Sequence, residues 1–253
     1  MKRADCPLVS IVTIVYNGER YIADTIRSVA AQSYPNIEYI VVDGGSTDGT
    51  LEIAGRFKDT ISTIITEKDR GISDAFNKGV RIARGEIIGI INADDWYEPN
   101  AVAMAVEYLA GSDVAYGDLR QWSEEKAEFI VRGDHHLLTR EMTVNHPTVF
   151  VRRECYQRFG LFDEQYKCAM DYDLVLRLFR GGCRFIHVPA VLANMRWGGM
   201  SDFQWKLGCR ETLQIKNKYL PSRRILNRLY YYKHILAIRL QKILKAIRLR
   251  FVP

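Results

Sequence analysis

Along the first third of the chain two hydrophobic periods alternate, and that alternation leaves few folds open. Leu8 to Val15 is a β-branched run ended by Asn17-Gly18. Ile22, Ile26, Val29 and Ala30 then recur at helical spacing until Gln32-Ser33-Tyr34-Pro35 stops them. Ile37 to Val42 reads as a second strand and Leu51 to Phe57 as a short helix, followed by a third strand from Ile61 to Thr66. Ile72, Ala75, Phe76, Gly79, Val80 and Ala83 form the next helical stripe, and Glu86 to Ile91 is apolar without alternation, as expected of a strand covered on both faces. The order βαβαβαβ predicts an α/β fold with a mostly parallel sheet flanked by helices.

Polar clusters follow these strands: Tyr16 to Glu19, Asp43 to Gly49, Asp69 to Ser73 and Asn92 to Asp95. Ligands of open α/β sheets bind at the carboxyl ends of the strands, so the four segments should converge on one crevice. Farther along, the alternation loosens. Asn100 to Ala110 and Asp171 to Arg180 read as helices and Val114-Ala115-Tyr116 as a strand, with an unassigned stretch up to Val144. No repeat, low-complexity linker or second core is evident.

Three segments carry chemistry. Asn92-Ala93-Asp94-Asp95 pushes two adjacent carboxylates out of a buried strand, and such a pair resists ionisation without a cation. A divalent metal shared with phosphate oxygens would relieve it, whereas a plain helix cap is the alternative. Asp43 stands at a strand end in a glycine-rich loop, suited to a nucleobase or ribose or simply to a βα turn. No GxGxxG or GxxxxGK[ST] fingerprint occurs. Asp171 shares a stripe with Leu174, Val175 and Leu178 and is predicted to face inward, with Asp173 on the far side. In a first helical turn it fits either a general base or a residue that complements the helix dipole.

Six ordered segments, from PLVSIVTIVYNGERYI through YPNIEYIVVDGGSTDGT, EKDRGISDAFNKGVRIARGEIIGIINADDW, NHPTVFVRRECYQRFGLFDE and AMDYDLVLRL to RWGGMS, resemble the inverting glycosyltransferases of family 2 with the GT-A fold. The likeness runs from about Leu8 to Ser201 and is strongest to the branch that assembles bacterial surface polysaccharides. It implies a hexosyl transfer from a nucleotide-sugar donor, UDP-linked, to a glycan or lipid-linked acceptor, with Mn2+ or Mg2+ as cofactor. Tyr16, Asn17, Glu19, Asp43 and Asp69 match donor-contacting positions; Asp94 and Asp95 lie in the metal and diphosphate region, and Asp171 matches the catalytic base. Asn92 replaces the first Asp of DxD, and Met170 replaces the Glu that often precedes the base. His146 and Arg196 are acceptor-side or diphosphate-side candidates, with core packing as the alternative for each. On this reading residues 1–211 form the GT-A domain, 1–97 its nucleotide-sugar half and 98–211 its acceptor half, with a tail over 212–253. A nucleotidyltransferase on a related scaffold, or a non-catalytic scaffold recruited to the membrane, would be the competing readings.

Charge is split along the chain. Residues 1–211 carry 25 basic and 30 acidic groups, whereas eleven Lys and Arg and no acid follow Glu211. Ile225, Leu229, Tyr232, Leu236, Leu240, Ile243 and Ile247 share one face of a predicted helix or pair of helices, with basic residues outside that arc. Such a helix suits an anionic membrane surface through residues 222–250, or packing on the domain or on a second copy of the chain as a homo-oligomer. Nucleic acid is not expected, because no stacking platform or recognised motif accompanies the charge. With 47% hydrophobic residues, five cysteines in no paired spacing, no leader-like segment and no membrane-spanning run, the expectation is a cytoplasmic protein, peripheral on the inner membrane.

Overall fold

The computed structural model describes residues 6–123, 126–197 and 204–250. Four strands, β1 (Val9–Val15), β2 (Ile37–Asp43), β3 (Thr63–Thr66) and β4 (Ile87–Asn92), run parallel in the order β3-β2-β1-β4. Helices α1 (Ile22–Ala30), α2 (Thr50–Gly55) and α3 (Ile72–Ile82) make the crossovers. The register pairs Val15 with Asp43, Asp43 with Thr66 and Ile14 with Asn92. The strands thus end nearly flush, so the polar segments behind them emerge at one edge of the sheet.

The second half extends the same sheet. Strands β5 (Trp96–Tyr97), β6 (Val114–Ser123), β7 (Lys126–Val131), β8 (Phe150–Arg152) and β9 (Phe185–Arg196) continue the order as β4-β8-β6-β9-β5, with β7 paired to β6. Strand β8 is antiparallel to both β4 and β6. The sheet therefore crosses between the two halves without a break. The segment expected as a three-residue strand at Val114 is ten residues long. Its pairing is interrupted by register shifts near Asp118 and Gln121, which break the alternation that makes a strand readable.

Each face of the sheet has its own core because successive strand residues point to opposite sides. Val9 and Ile11 of β1 pack toward α1 and α4 (Ala101–Tyr108) with Ile22, Ile26, Val102 and Leu109. Val12 packs on the other side with Phe76 and Val80 of α3 and Leu174 and Leu178 of α6 (Met170–Arg180). Helix α3 lies so close to the sheet that a Cβ at Gly79 would collide with the Val12 side chain.

After β9 come α7 (Trp205–Tyr219) and α8 (Arg224–Arg250). The boundary expected at 211 falls inside α7. That helix covers the flank of α6 that the sequence pattern assigns to solvent, so Asp173 is fully buried rather than outward-facing. There Asp173 pairs with Arg177 at 2.9 Å and accepts a hydrogen bond from the Tyr219 hydroxyl at 3.0 Å. Among the described residues no helix is long and apolar enough to cross a membrane. Residues 198–201 of the RWGGMS segment, and the side chains of the expected tail stripe beyond 240, lie outside the described residues.

Candidate active site

A cavity of about 800 Å³ opens at the carboxyl edge of the parallel strands. Tyr16, Asn17, Asp69, Asp94, Asp95, His146, Asp171 and Arg196 all line it, so residues from both halves of the chain meet there. Glu19 and Asp43 are not in its wall. A smaller cavity of about 360 Å³ adjoins it, bounded by Tyr16, Gly44, Gly45, Lys68 and Asp69.

The loops after β1 and β2 are stitched together by the polar residues the sequence singles out. Asn17 has a φ of 49°, a left-handed conformation that Asn tolerates. Its Oδ1 accepts from the Thr47 amide at 2.9 Å, and its own amide donates to Ser46 Oγ at 2.8 Å. Glu19 Oε2 accepts from the Gly49 amide at 2.7 Å, which accounts for its place behind the cavity rather than in it. Asp43 is closed off from solvent and accepts from the amides of Gly45 and Ser46, each at 3.2 Å. Its carboxylate shapes the glycine turn. Asp69 sits against Gly44, where any side chain would strike its carboxylate, and takes the Gly71 amide at 2.9 Å.

The turn after β4 holds the acidic pair. Thr25 of α1 donates its hydroxyl to the carbonyls of Ala93 at 2.8 Å and Asp95 at 2.6 Å, fixing the turn from beneath. Asp95 is 1% exposed, and its carboxyl is held well above the ordinary range by burial and then by neighbouring Asp94. Asp94 is also raised by burial, with Arg196 opposing the shift. Asn92 donates its side-chain amide to Asp95 at 3.4 Å. A carboxylate at 92 would add a third negative charge here, so Asn trades repulsion for a hydrogen bond.

Arg196 supplies the positive charge. Its backbone amide donates to Asp95 at 3.3 Å, Nη1 donates to the Asp94 carbonyl at 2.6 Å, and Nη2 pairs with Asp24 at 2.9 Å. The guanidinium lies 4.4 Å from the centroids of both the Tyr21 and Trp96 rings. Arg196 is thus packed against two rings and held by three polar contacts within the chain.

Asp171 also lines the cavity and lies in the first turn of α6. Its Oδ1 accepts from the Tyr172 amide at 2.7 Å, burial raises its carboxyl, and His146 partly offsets that shift. Met170 is 4% exposed and packs into the core beside it, so an apolar side chain stands where a second charge would compete. His146 rests on Phe76 with ring centroids 5.1 Å apart. Burial favours its neutral imidazole, and Nε2 is enclosed without a hydrogen-bond partner among the described residues.

Sequence reasoning missed Glu211. From α7 it accepts the amides of Lys167 at 2.8 Å, Cys168 at 2.8 Å and Ala169 at 2.9 Å, gripping the segment that leads into Asp171. The available signal was its position as the last acidic residue in the chain, which reads as a composition boundary rather than a contact. Among the described residues no cluster of three or more His, Cys, Asp or Glu could hold a metal by itself. A cation here would share its coordination with a ligand's oxygens.

A mixed sheet with an acidic cavity at its parallel strand ends defines a GT-A-type α/β protein, and solved structures share that fold. A mannosyltransferase from Pyrobaculum calidifontis, in complex with GDP-Man and Mn2+, superposes with a TM-score of 0.69 at 21% identity over 90% of this chain and 70% of that one. S. aureus TarS 1–349 in complex with UDP-GlcNAc gives 0.67 at 18% identity, covering 85% and 72%. The model of glycosyl transferase family 2 matches residues 10–173, and the chain belongs to that family. A PGL/p-HBAD biosynthesis glycosyltransferase of Mycobacterium tuberculosis is 30% identical over 208 residues, 78% of this chain and 80% of its own length. An uncharacterized glycosyltransferase of Rickettsia prowazekii is 32% identical over 194 residues, 69% of this chain, and the match spans 59% of that relative.

Proposed function

We propose that this chain is a metal-dependent, inverting glycosyltransferase. It moves a sugar from a nucleoside diphosphate donor, a UDP-sugar by resemblance, to a hydroxyl of a glycan or lipid-linked acceptor in bacterial surface polysaccharide assembly. Its workplace is the cytoplasmic face of the inner membrane. The observation that carries the reading is that Asp94 and Asp171, from separate halves of the chain, line one cavity of a size suited to a sugar nucleotide. The ligands named for the mannosyltransferase and TarS structures support a nucleotide-sugar donor, and Mn2+ in the former supports a metal.

On this reading Tyr16, Asn17 and Asp69 contact the donor, while Glu19 and Asp43 hold the loops that present them. The adjacent carboxylates, both raised, fit a divalent cation, with Asp94 as the direct ligand and the more enclosed Asp95 behind it. A bound Mn2+ or Mg2+ would supply charge neutralisation for the departing diphosphate. Asp171 accepts the proton of the attacking acceptor hydroxyl, and a carboxyl raised by burial is better matched to neutral pH than an ordinary Asp.

Nuclear magnetic resonance of the product formed from an anomerically defined nucleotide sugar tests the reading. Transfer with inversion and release of a nucleoside diphosphate is the expected outcome. Retention of configuration would remove Asp171 as base, and consumption of a nucleoside triphosphate with pyrophosphate release would replace glycosyl with nucleotidyl transfer.

A further inference from the structure

We infer that the outer face of α8 is a docking surface for an anionic lipid bilayer. Ile225, Leu229, Tyr232, Leu236 and Leu240 recur every three or four residues and are between 51% and 79% exposed. The opposite face is already in use: buried Asn227 donates to Asn217 of α7 at 3.1 Å, and Lys216 Nζ lies 4.2 Å from the Tyr230 ring centroid. The apolar stripe therefore does not serve to hold α8 on its own domain. It points outward after that packing is complete.

Charge selects the occupant. At 100° per residue, Arg224, Arg228 and Arg239 border the stripe on one side and Lys233 on the other, and all four are exposed. Two copies pairing stripe to stripe would bring cationic borders together, with no carboxylate after Glu211 to separate them. Anionic headgroups complement both borders at once, while Tyr232 suits the boundary between headgroup and acyl chain. Helix α7, which carries α8, also carries Glu211 and so reaches the segment leading into Asp171. A bilayer-anchored acceptor would then approach from the side of the proposed base; this last step rests on the glycosyl-transfer reading, whereas the docking itself does not.

Flotation of the full chain with vesicles tests the surface, using phosphatidylglycerol mixed with phosphatidylcholine and phosphatidylcholine alone. The variants are Leu229→Asp/Tyr232→Asp/Leu236→Asp and Arg224→Glu/Arg228→Glu/Arg239→Glu, with unchanged thermal unfolding as the check on folding. The wild type should float with the anionic vesicles, each variant should lose about tenfold or more of that binding, and added salt should weaken it. Equal flotation of wild type and the apolar variant would overturn the proposal. So would absence of wild-type flotation with the anionic vesicles, and a wild-type dimer in light scattering that the apolar variant abolishes would then make the stripe an interface between copies. Sugar transfer to a water-soluble acceptor, run in parallel on the same proteins, should persist in both variants. Its absence in the wild type would sink the glycosyl-transfer reading and leave the flotation result standing.

Discussion

Asp95 bears an electrostatic cost that, in the proposed mechanism, Asp171 turns to use. Both carboxyls are raised by burial, but Asp95 lies beside another carboxylate and Asp171 faces an imidazole. A raised folded pKa means that the folded state holds its proton where the unfolded state has released it. Stability therefore falls as pH rises from the ordinary Asp value toward the folded one. In EDTA, Asp95→Asn should raise Tm, with the gain over wild type larger at pH 8 than at pH 4; thermal melts at the two pH values check this. For Asp171, the proposed base, the consequence is catalytic. Asp171→Asn should lower turnover by about 10²- to 10⁴-fold with donor binding retained. The wild-type rate should fall toward acid through a pKa above that of an ordinary Asp, and the residual rate of the variant should lack that limb. The acids were legible in sequence because they stand at strand and helix ends. The destinations of Glu19 and Asp43 were not, because which side chain faces a cavity and which braces a loop depends on backbone amides thirty residues away for Glu19 and on a local turn for Asp43.

At the level of elements, α6 is held from outside the segment that matches the family model. Glu211 is 4% exposed and accepts three amides, so its loss leaves buried donors unpaired. Glu211→Ala should destabilise by about 3 kcal/mol, a fall in Tm of about 6–12 °C. It should also reduce kcat more than donor affinity, and Glu211→Gln, which keeps one acceptor oxygen, should recover part of both; calorimetry and steady-state kinetics separate the effects. Helices α1 and α3 were readable because one face of each meets the sheet and the period survives. Helix α6 misled at Asp173, since α7 buries a second face and a hydrophobic stripe cannot announce a buried ion pair. Strands β6 and β9 were obscured by register shifts and by polar residues that pair across the sheet, as His187 does with Asp118 at 2.8 Å.

On the scale of the molecule, the parallel half follows from local periodicity, while the continuous sheet requires β8, only three residues long, to lie between β4 and β6. Nothing local in so short a segment specifies that pairing. It brings the His146 segment beside β4 and so closes the cavity on that side. The proposed transfer depends on the convergence of Asp94 with the loops that follow β1 and β3. Thermal unfolding with a panel of nucleoside diphosphate sugars, with and without Mn2+, on wild type and Asp94→Asn tests it most directly. One donor at 100 times its Kd should stabilise the wild type by about 2.7 kcal/mol in Mn2+, with most of that effect lost in Asp94→Asn. Stabilisation that is equal in both proteins and indifferent to metal, or no stabilisation by any sugar nucleotide, would contradict it.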